Sequence, residues 1–409
     1  MLLGCSAAVS PSFQFAAVMS MAYPYRIPIT HNLFWQKHGF SLHLISISIS
    51  SKSQPNRITS SPLRPLVTSF TPIKSNSVPL VTDTTSGNIN TFTWDDVVRL
   101  SQPQPAPTHS SDLSPFFDKI QLCNRGSELQ SDFLQFIIED QLVGYLHHGF
   151  VDLLRRFSDV FIFPQSNSHG SRFRNYVTLH ESLKTAEDRT RFVAEVIRCL
   201  GEEKVIPGIR NELYPVVSSF GSQVYFSLER AAAPYFGIKA YGVHMNGFVE
   251  RDEEKFLWIG KRSALKPTYP GMLDHLAAGG LPYGISCGEN IVKECEEEAG
   301  IPLSISQQAI PVGAVSYIDI EGFRYKRDVL FCYDLKLPDS FIPESRDGEV
   351  ESFKLIPVKN VANVIRKTHF FKPNCSLVII DFLFRHGYIS PECLGYLDLL
   401  QRLKNGDCS

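Results

Sequence analysis

The chain has 409 residues, with 40 Lys and Arg against 42 Asp and Glu and a formal charge of −2 at pH 7. So balanced a charge lacks the positive field that a general nucleic-acid binder needs. Nine Cys are scattered with neither Cys-x-x-Cys nor zinc spacing, as expected of a soluble protein in a reducing compartment.

Residues 1 to 82 are a different material. They contain no Asp or Glu, six Lys or Arg and twenty Ser or Thr. They lack the basic start and clean apolar core of a secretory signal, and the composition is that of a disordered transit peptide. Without it, 34 basic residues face 42 acidic ones, which argues further against nucleic acid as a partner. No later stretch reaches the run of about eighteen apolar residues that spans a bilayer, so no membrane association is expected.

From 95 to 238 the pattern predicts a smaller α+β domain. Helical runs are expected at Leu134 to Phe150, Glu181 to Leu200 and Leu228 to Tyr235, with a strand at Val160 to Phe163. A compact segment, Pro207-Gly-Ile-Arg-Asn-Glu-Leu-Tyr-Pro215, has its backbone restricted by Pro and Gly and can hold polar side chains in place. A second domain is expected over 239 to 405. It opens with strands at Tyr241 to Val249 and Phe256 to Ser263, then a turn-rich link from Lys266 to Asp274.

Gly279, Gly280 and Gly284 form a loop whose exposed main chain can approach a phosphate closely. It runs into a helix with marked ends: Ser286 as N-cap with Glu289 in a capping box, then Gly300 and Pro302 as the stop. On that helix Glu294 and Glu298 lie one turn apart on one face, with Glu297 beside them and Glu296 pointing elsewhere. Ile291, Val292, Cys295 and Ala299 form the apolar stripe that would seat the helix at the edge of a cleft. Three carboxylates so close repel one another. A hard divalent cation, Mg²⁺ or Mn²⁺, held by carboxylates and substrate phosphate oxygens, makes such a cluster favourable.

Beyond the helix, Val312 to Ile318 and Phe323 to Leu335 form a hairpin about Glu321-Gly322. The turn at Asp347-Gly348 can present Asp347, Glu349 or Glu351 over the cleft. A strand from Glu351 to Pro357 follows, then helices near 358 to 367, 375 to 386 and 391 to 404. Mixed strands between helices imply an α/β/α sandwich.

The segment from Gly279 to Ile301 resembles the Nudix box: Gly, five residues, Glu, seven residues, Arg-Glu-hydrophobic-x-Glu-Glu-x-Gly-hydrophobic. Gly279, Glu294, Cys295, Glu297, Glu298, Gly300 and Ile301 fall on the pattern; Ile285 stands where the family has Glu, and Lys293 where it has Arg. In the family that Glu and Arg mainly brace loop against helix, so the departures imply loss of a structural ion pair rather than of a metal ligand. Over roughly 95 to 405 the chain is similar to plant chloroplast Nudix hydrolases and to the Nudix half of fungal thiamine pyrophosphokinase.

The resemblance implies a mixed-sheet Nudix sandwich preceded by an N-terminal substrate-recognition domain, in a protein imported into the chloroplast stroma. It implies hydrolysis of a small organic diphosphate. Glu294 and Glu298 would hold Mg²⁺ or Mn²⁺ with Glu297 in support, and a box glutamate or Glu349 would take the proton from the attacking water. Gly279 and Gly280 would cradle phosphate, while Arg210, Glu212 and Tyr214, with Glu229 and Arg230 as further candidates, would read the organic half. Thiamine diphosphate and its oxo and oxy forms are the implied substrates. The alternatives are nucleoside diphosphate derivatives such as ADP-ribose, and a catalytically retired ligand-binding module. Lys261-Arg262 with Lys266 to Gly271 also resembles isopentenyl diphosphate isomerase, but the catalytic Cys pattern of that enzyme is missing.

Overall fold

The computed structural model describes residues 92–103, 111–164 and 175–406, all within one compact unit spanning residues 75–409. The transit peptide expected at 1 to 82 lies outside the described residues. In chain order the first half contains α1 (Trp94–Ser101), α2 (Ser114–Gln121), β1 (Phe133–Ile138), β2 (Gln141–His147), α3 (His148–Leu154), β3 (Phe161–Ile162), β4 (Tyr176–Leu179), α4 (Ala186–Glu202), β5 (Leu213–Val216), β6 (Phe226–Glu229) and α5 (Ala233–Phe236). The second half contains β7 (Lys239–Arg251), β8 (Glu254–Arg262), β9 (Leu273–Asp274), β10 (Ala277–Gly280), α6 (Cys287–Ala299), α7 (Leu303–Ser306), β11 (Ile310–Glu321), β12 (Arg324–Lys336), β13 (Val350–Pro357), α8 (Val358–Lys367), α9 (Pro373–Arg385) and α10 (Tyr396–Arg402).

The second half is built on a mixed sheet in the order β11-β12-β7-β8-β13, with β10 added to β7 and β9 to β8. Strand β7 runs parallel to β12 and antiparallel to β10 and β8. Both faces are covered, so alternate residues of one strand enter different cores: Leu330 and Cys332 of β12 pack with α8 and α9, Tyr333 and Leu335 with α6. The α/β/α expectation is met. Ten consecutive residues of α9, Cys375 to Phe384, are buried, because α2 covers its outer side. No helix among the described residues is long and apolar enough to cross a membrane.

The described residues before 239 divide between two layers. Helices α1 and α2 pack on α8 and α9, and Val97, Phe116 and Ile120 share their core. A second core lies under a four-stranded sheet, β2-β1-β4-β3, and is filled by Phe136, Phe150, Val193, Phe226 and Phe236.

Leu134 to Phe150 does not form the expected helix. It folds as the antiparallel hairpin β1–β2, with only its last residues entering α3. Glu139 and Asp140 take left-handed φ values of 49° and 60° and turn the chain, a role that Glu-Asp announces less clearly than Asn-Gly. Once turned, Phe136, Ile138, Val143 and Leu146 are buried in one core, and pairing wins over their helix-like spacing. The run from Leu228 to Tyr235 is likewise only partly helical, being the end of β6, a 3₁₀ turn at Arg230–Ala232 and the start of α5. Helix α4 begins later than expected, because the Thr185 side chain caps it by accepting from the Asp188 N–H.

Candidate active site

The ends read for the acidic helix are those observed. The Ser286 hydroxyl accepts from the Glu289 N–H at 3.2 Å, and the Glu289 carboxylate accepts from the Ser286 N–H at 3.0 Å. At the far end Gly300 takes φ 62° as the left-handed cap. Ile291, Cys295 and Ala299 are buried against the sheet, and Val292 is half-buried beside them. This seating fixes where each carboxylate goes.

Glu298 is buried, 7% exposed, and its Oε2 accepts the Ala278 N–H at 2.7 Å. Burial holds its carboxyl well above the usual range, and Asp274, Glu294 and Glu349 push it the same way. Burial also raises Glu294, with Glu297 and Glu349 adding and Lys293 opposing. Glu297 turns outward, 47% exposed, and its Oε2 accepts from Lys293 Nζ at 2.7 Å. The Glu349 loop comes back over the helix instead. Oxygens of Glu298, Asp347 and Glu349 lie within 4.8 Å of one another, Asp347 accepts the Glu349 N–H at 2.8 Å, and Lys266 pairs with Glu349. Glu351 faces away, accepting from Lys261 at 3.1 Å. A set of hard oxygen donors, two of them with carboxyls raised by burial and by neighbouring carboxylates, fits a divalent cation of the Mg²⁺ class, whose charge would favour their ionised form.

Each of the two glycines of β10 leaves room for one side chain. An ideal Cβ on Gly279 would lie 2.2 Å from Glu294 Oε1, and one on Gly280 would lie 2.0 Å from Tyr214 Oη and 3.2 Å from Arg230 Cζ. The Gly280 carbonyl accepts from Asn290 Nδ2 at 2.8 Å, tying the loop to α6. The β5–β6 hairpin is docked on the same loop, since the Tyr283 N–H donates to the Leu213 carbonyl at 2.9 Å. The partner of Glu212 is Arg230, at 2.8 Å, whereas Arg210 is exposed and gives its backbone N–H to buried Glu229 at 2.9 Å. Of the two departures from the box pattern, Ile285 packs against the Val217, Tyr241, Leu281 and Val329 cluster, and Lys293 holds carboxylates of its own helix.

The chain is 63% identical to Nudix hydrolase 20, chloroplastic, of Arabidopsis thaliana over 83% of this chain and 90% of that protein. It is 60% identical to Nudix hydrolase 24, chloroplastic, of the same plant over 78% and 85%. The chain belongs to the Nudix hydrolase family. A family model described as a domain of unknown function, DUF4743, matches residues 115–240. An uncharacterized protein of Saccharomyces cerevisiae is 39% identical over 55% of this chain and 71% of its own length. Among solved structures, similarity extends to a C. elegans Ap4A hydrolase binary complex, with 13% identity over 36% of this chain and 98% of that one and a TM-score of 0.28. The NUDIX domain of Shewanella oneidensis NrtR complexed with ADP ribose gives 13% identity, 37% and 90%, and 0.29.

As a Nudix hydrolase the chain is an enzyme acting on phosphoric anhydrides, and divalent metal ions are the general cofactor of that family. A second group of possible ligands in this Nudix hydrolase, His244, His275 and Cys375, is wholly buried on the α9 face. Cys375 Sγ already donates to Asp274 at 2.7 Å, and Arg262 at 2.6 Å and Lys372 at 3.4 Å hold the same carboxylate. Buried Arg262 and half-buried Lys372 oppose a third positive charge beside Cys375, which belongs to the ion-pair network of Asp274, whereas His244 Nδ1 and His275 Nε2 are buried without a hydrogen-bond partner among the described residues. A cleft of about 890 Å³ along the outer flank of α6 is bordered by Val292, Lys293, Glu297, Tyr333 and Asp347, beside the carboxylate cluster rather than around it. Lys266, on Glu349, and Asp274, beside Glu298, join the site from the segment between β8 and β10, where an Asp inside Met-Leu-Asp-His-Leu is the available sequence signal.

Proposed function

We propose that this Nudix hydrolase cuts a small organic diphosphate to its monophosphate in the chloroplast stroma, with thiamine diphosphate and its oxo and oxy forms as substrates. The observation that carries the reading is the meeting of Glu298 with Asp347 and Glu349, with Glu294 one turn away on the same helix and against Gly279. Glu294 and Glu298 hold the cation from the helix, Glu297 supports them from the rim, and Glu349 takes the proton released by the attacking water. Mg²⁺ or Mn²⁺ bound there supplies charge neutralisation for phosphate oxygens and lowers the pKa of water. The main chain of Gly279 and Gly280 lies against the diphosphate.

Residues 239 to 405 supply this chemistry, which is common to any diphosphate, so selection falls to contacts with the rest of the molecule. Residues 95 to 238 provide them through Arg210, Glu212 and Tyr214. The docking of the β5–β6 hairpin on the Gly loop supports that division of labour. The thiamine assignment rests on the resemblance to the Nudix half of fungal thiamine pyrophosphokinase.

The test is phosphate release with and without Mg²⁺ or Mn²⁺ over thiamine diphosphate, oxo- and oxythiamine diphosphate, ADP-ribose, other nucleoside diphosphate derivatives and isopentenyl diphosphate. Metal-dependent turnover highest on the thiamine compounds is expected. Preference for ADP-ribose would overturn the substrate assignment, and binding without turnover of any of them would make the protein a retired module.

A further inference from the structure

We propose that His244, His275 and Cys375 form a site for one monovalent soft cation of the Cu⁺ class, separate from the carboxylate cluster. The proposal goes beyond the hydrolase reading and does not depend on it. One nitrogen of each His and Cys375 Sγ lie within 4.8 Å of one another, and all three residues are buried. His244 is on β7 opposite Cys332 of β12, on the face of the sheet that α8 and α9 cover. His275 directly follows β9, and Cys375 is in the first turn of α9. The last two segments are tied together: the Leu273 N–H donates to the Phe370 carbonyl at 2.8 Å, and the Lys372 N–H to the Leu273 carbonyl at 2.9 Å. The donors therefore stand on elements held in register with one another.

The two imidazoles are what point to a ligand. His244 is 4% exposed and His275 3%, their rings meet edge to face at 4.9 Å, and His244 Nδ1 and His275 Nε2 have no hydrogen-bond partner among the described residues. Polar atoms buried in this way are costly, and a cation held between them removes the cost for both. Burial lowers both imidazoles, His275 to about 4, so at pH 7 each ring is neutral with a lone pair free. Two imidazoles and a thiolate suit soft or borderline ions, whereas the oxygens of Glu298, Asp347 and Glu349 suit Mg²⁺, so donor chemistry sorts the two ions. Bonds of about 2.0 to 2.3 Å set three such donors roughly 3.5 to 4 Å apart, a spacing that small side-chain rotations can reach. The neighbours set the charge of the ion. Cys375 Sγ donates to Asp274 at 2.7 Å, and Arg262 and Lys372 hold the same carboxylate. On binding, the Cys375 S–H bond breaks, a sulfur–metal bond forms and the proton leaves to solvent, so a monovalent ion leaves the local charge unchanged. Zn²⁺ would add a positive charge beside Arg262 and Lys372.

The experiment titrates the reduced, full-length protein with Cu⁺ under anaerobic conditions against a colorimetric Cu⁺ chelator, and repeats the titration with Ag⁺, of the same charge and inert to oxidation, and with Zn²⁺. Wild type should bind one Cu⁺ or one Ag⁺ per chain, release one proton for each, and melt at a higher temperature with the ion bound. His244→Gln, His275→Gln and Cys375→Ser should each abolish the melting shift and weaken binding by more than about a hundredfold, since losing even an outer-shell partner costs about 10–100-fold. Cys393→Ser, which removes a half-buried thiol outside the cluster, should bind as wild type does. Should the Cys375 variant not fold, His275→Gln carries the comparison, because Nε2 has no protein partner to lose. Wild-type affinity in both His variants would overturn the site, and preference for Zn²⁺ over both monovalent ions would overturn its charge assignment. Binding and melting are read without substrate, so failure of the hydrolase reading leaves them unchanged.

Discussion

The Glu294 carboxylate fills the space that any side chain at position 279 would need, its Oε1 lying 2.2 Å from an ideal Cβ on Gly279. Gly279→Ala should therefore displace a candidate metal ligand and lower metal-dependent activity by about a hundredfold or more, roughly the effect of losing one transition-state contact. Gly288→Ala is the comparison, because nothing lies within 4 Å of its Cβ position on the same helix. That variant should keep full activity and gain up to about 1 kcal/mol of stability. Steady-state rates and melting temperatures on both proteins decide the matter.

Glu298→Gln should abolish metal-dependent turnover, by on the order of a thousandfold, in a protein that still folds. Glu296→Gln removes the same charge from an exposed position and should be nearly silent. Wild-type rates from a folded Glu298→Gln protein would remove the metal assignment.

The same substitution should stabilise the metal-free protein at alkaline pH. Glu298 is held above the ordinary carboxyl range, so the native state binds its proton more tightly than the unfolded state does. Its contribution is complete below the ordinary carboxylate pKa and is lost as pH rises through the native value. Gln does not titrate, and in excess chelator at pH 8 the variant should melt a few degrees above wild type, about 1 kcal/mol at this size. At pH 4 the two should coincide.

Asp274 titrates in the opposite sense. Burial opposes its ionisation, but Lys372, Arg262 and His275 overcome that and hold it well below the ordinary value of 3.8. Its stabilisation is present above 3.8 and fades as pH falls below that value. Asp274→Asn leaves buried Arg262 and half-buried Lys372 without their carboxylate and should destabilise the fold by about 3 kcal/mol at pH 7, the gap to wild type narrowing in acid. Urea unfolding across that pH range is the measurement; a gap independent of pH would show that the network is not ionic.

Residues 1 to 82, fused to a fluorescent protein, should carry it into plastids and be absent from the mature chain. Mitochondrial or cytosolic fluorescence would count against the stromal assignment.

The acidic helix was legible because its signals are local. Ser286 and Glu289 cap it within one turn, Gly300 ends it, and the spacing of Glu294 and Glu298 fixes a shared face before any tertiary contact forms. The hairpin about Glu321-Gly322 was legible for the same reason, since β11 and β12 alternate on either side of a Gly turn. Residues 134 to 150 were not: their apolar spacing satisfies a helix as well as a strand, and the choice fell to the core that Phe136 and Leu146 enter together.

The sequence by itself determined the residue types of the box, the helix that carries them, and the glycines before it, because capping, turn formation and helical spacing act over a few residues. Only the tertiary structure decided which carboxylates meet. Glu298 finds Asp347 and Glu349 rather than Glu297, and Gly280 finds Tyr214 and Arg230, across 49 to 66 residues of chain. Side-chain direction on a helix says which face a charge is on, but not which loop will cover that face. That is set by how β10 adds to β7 and how the β5–β6 hairpin docks beside it, and both depend on apolar area buried by distant segments.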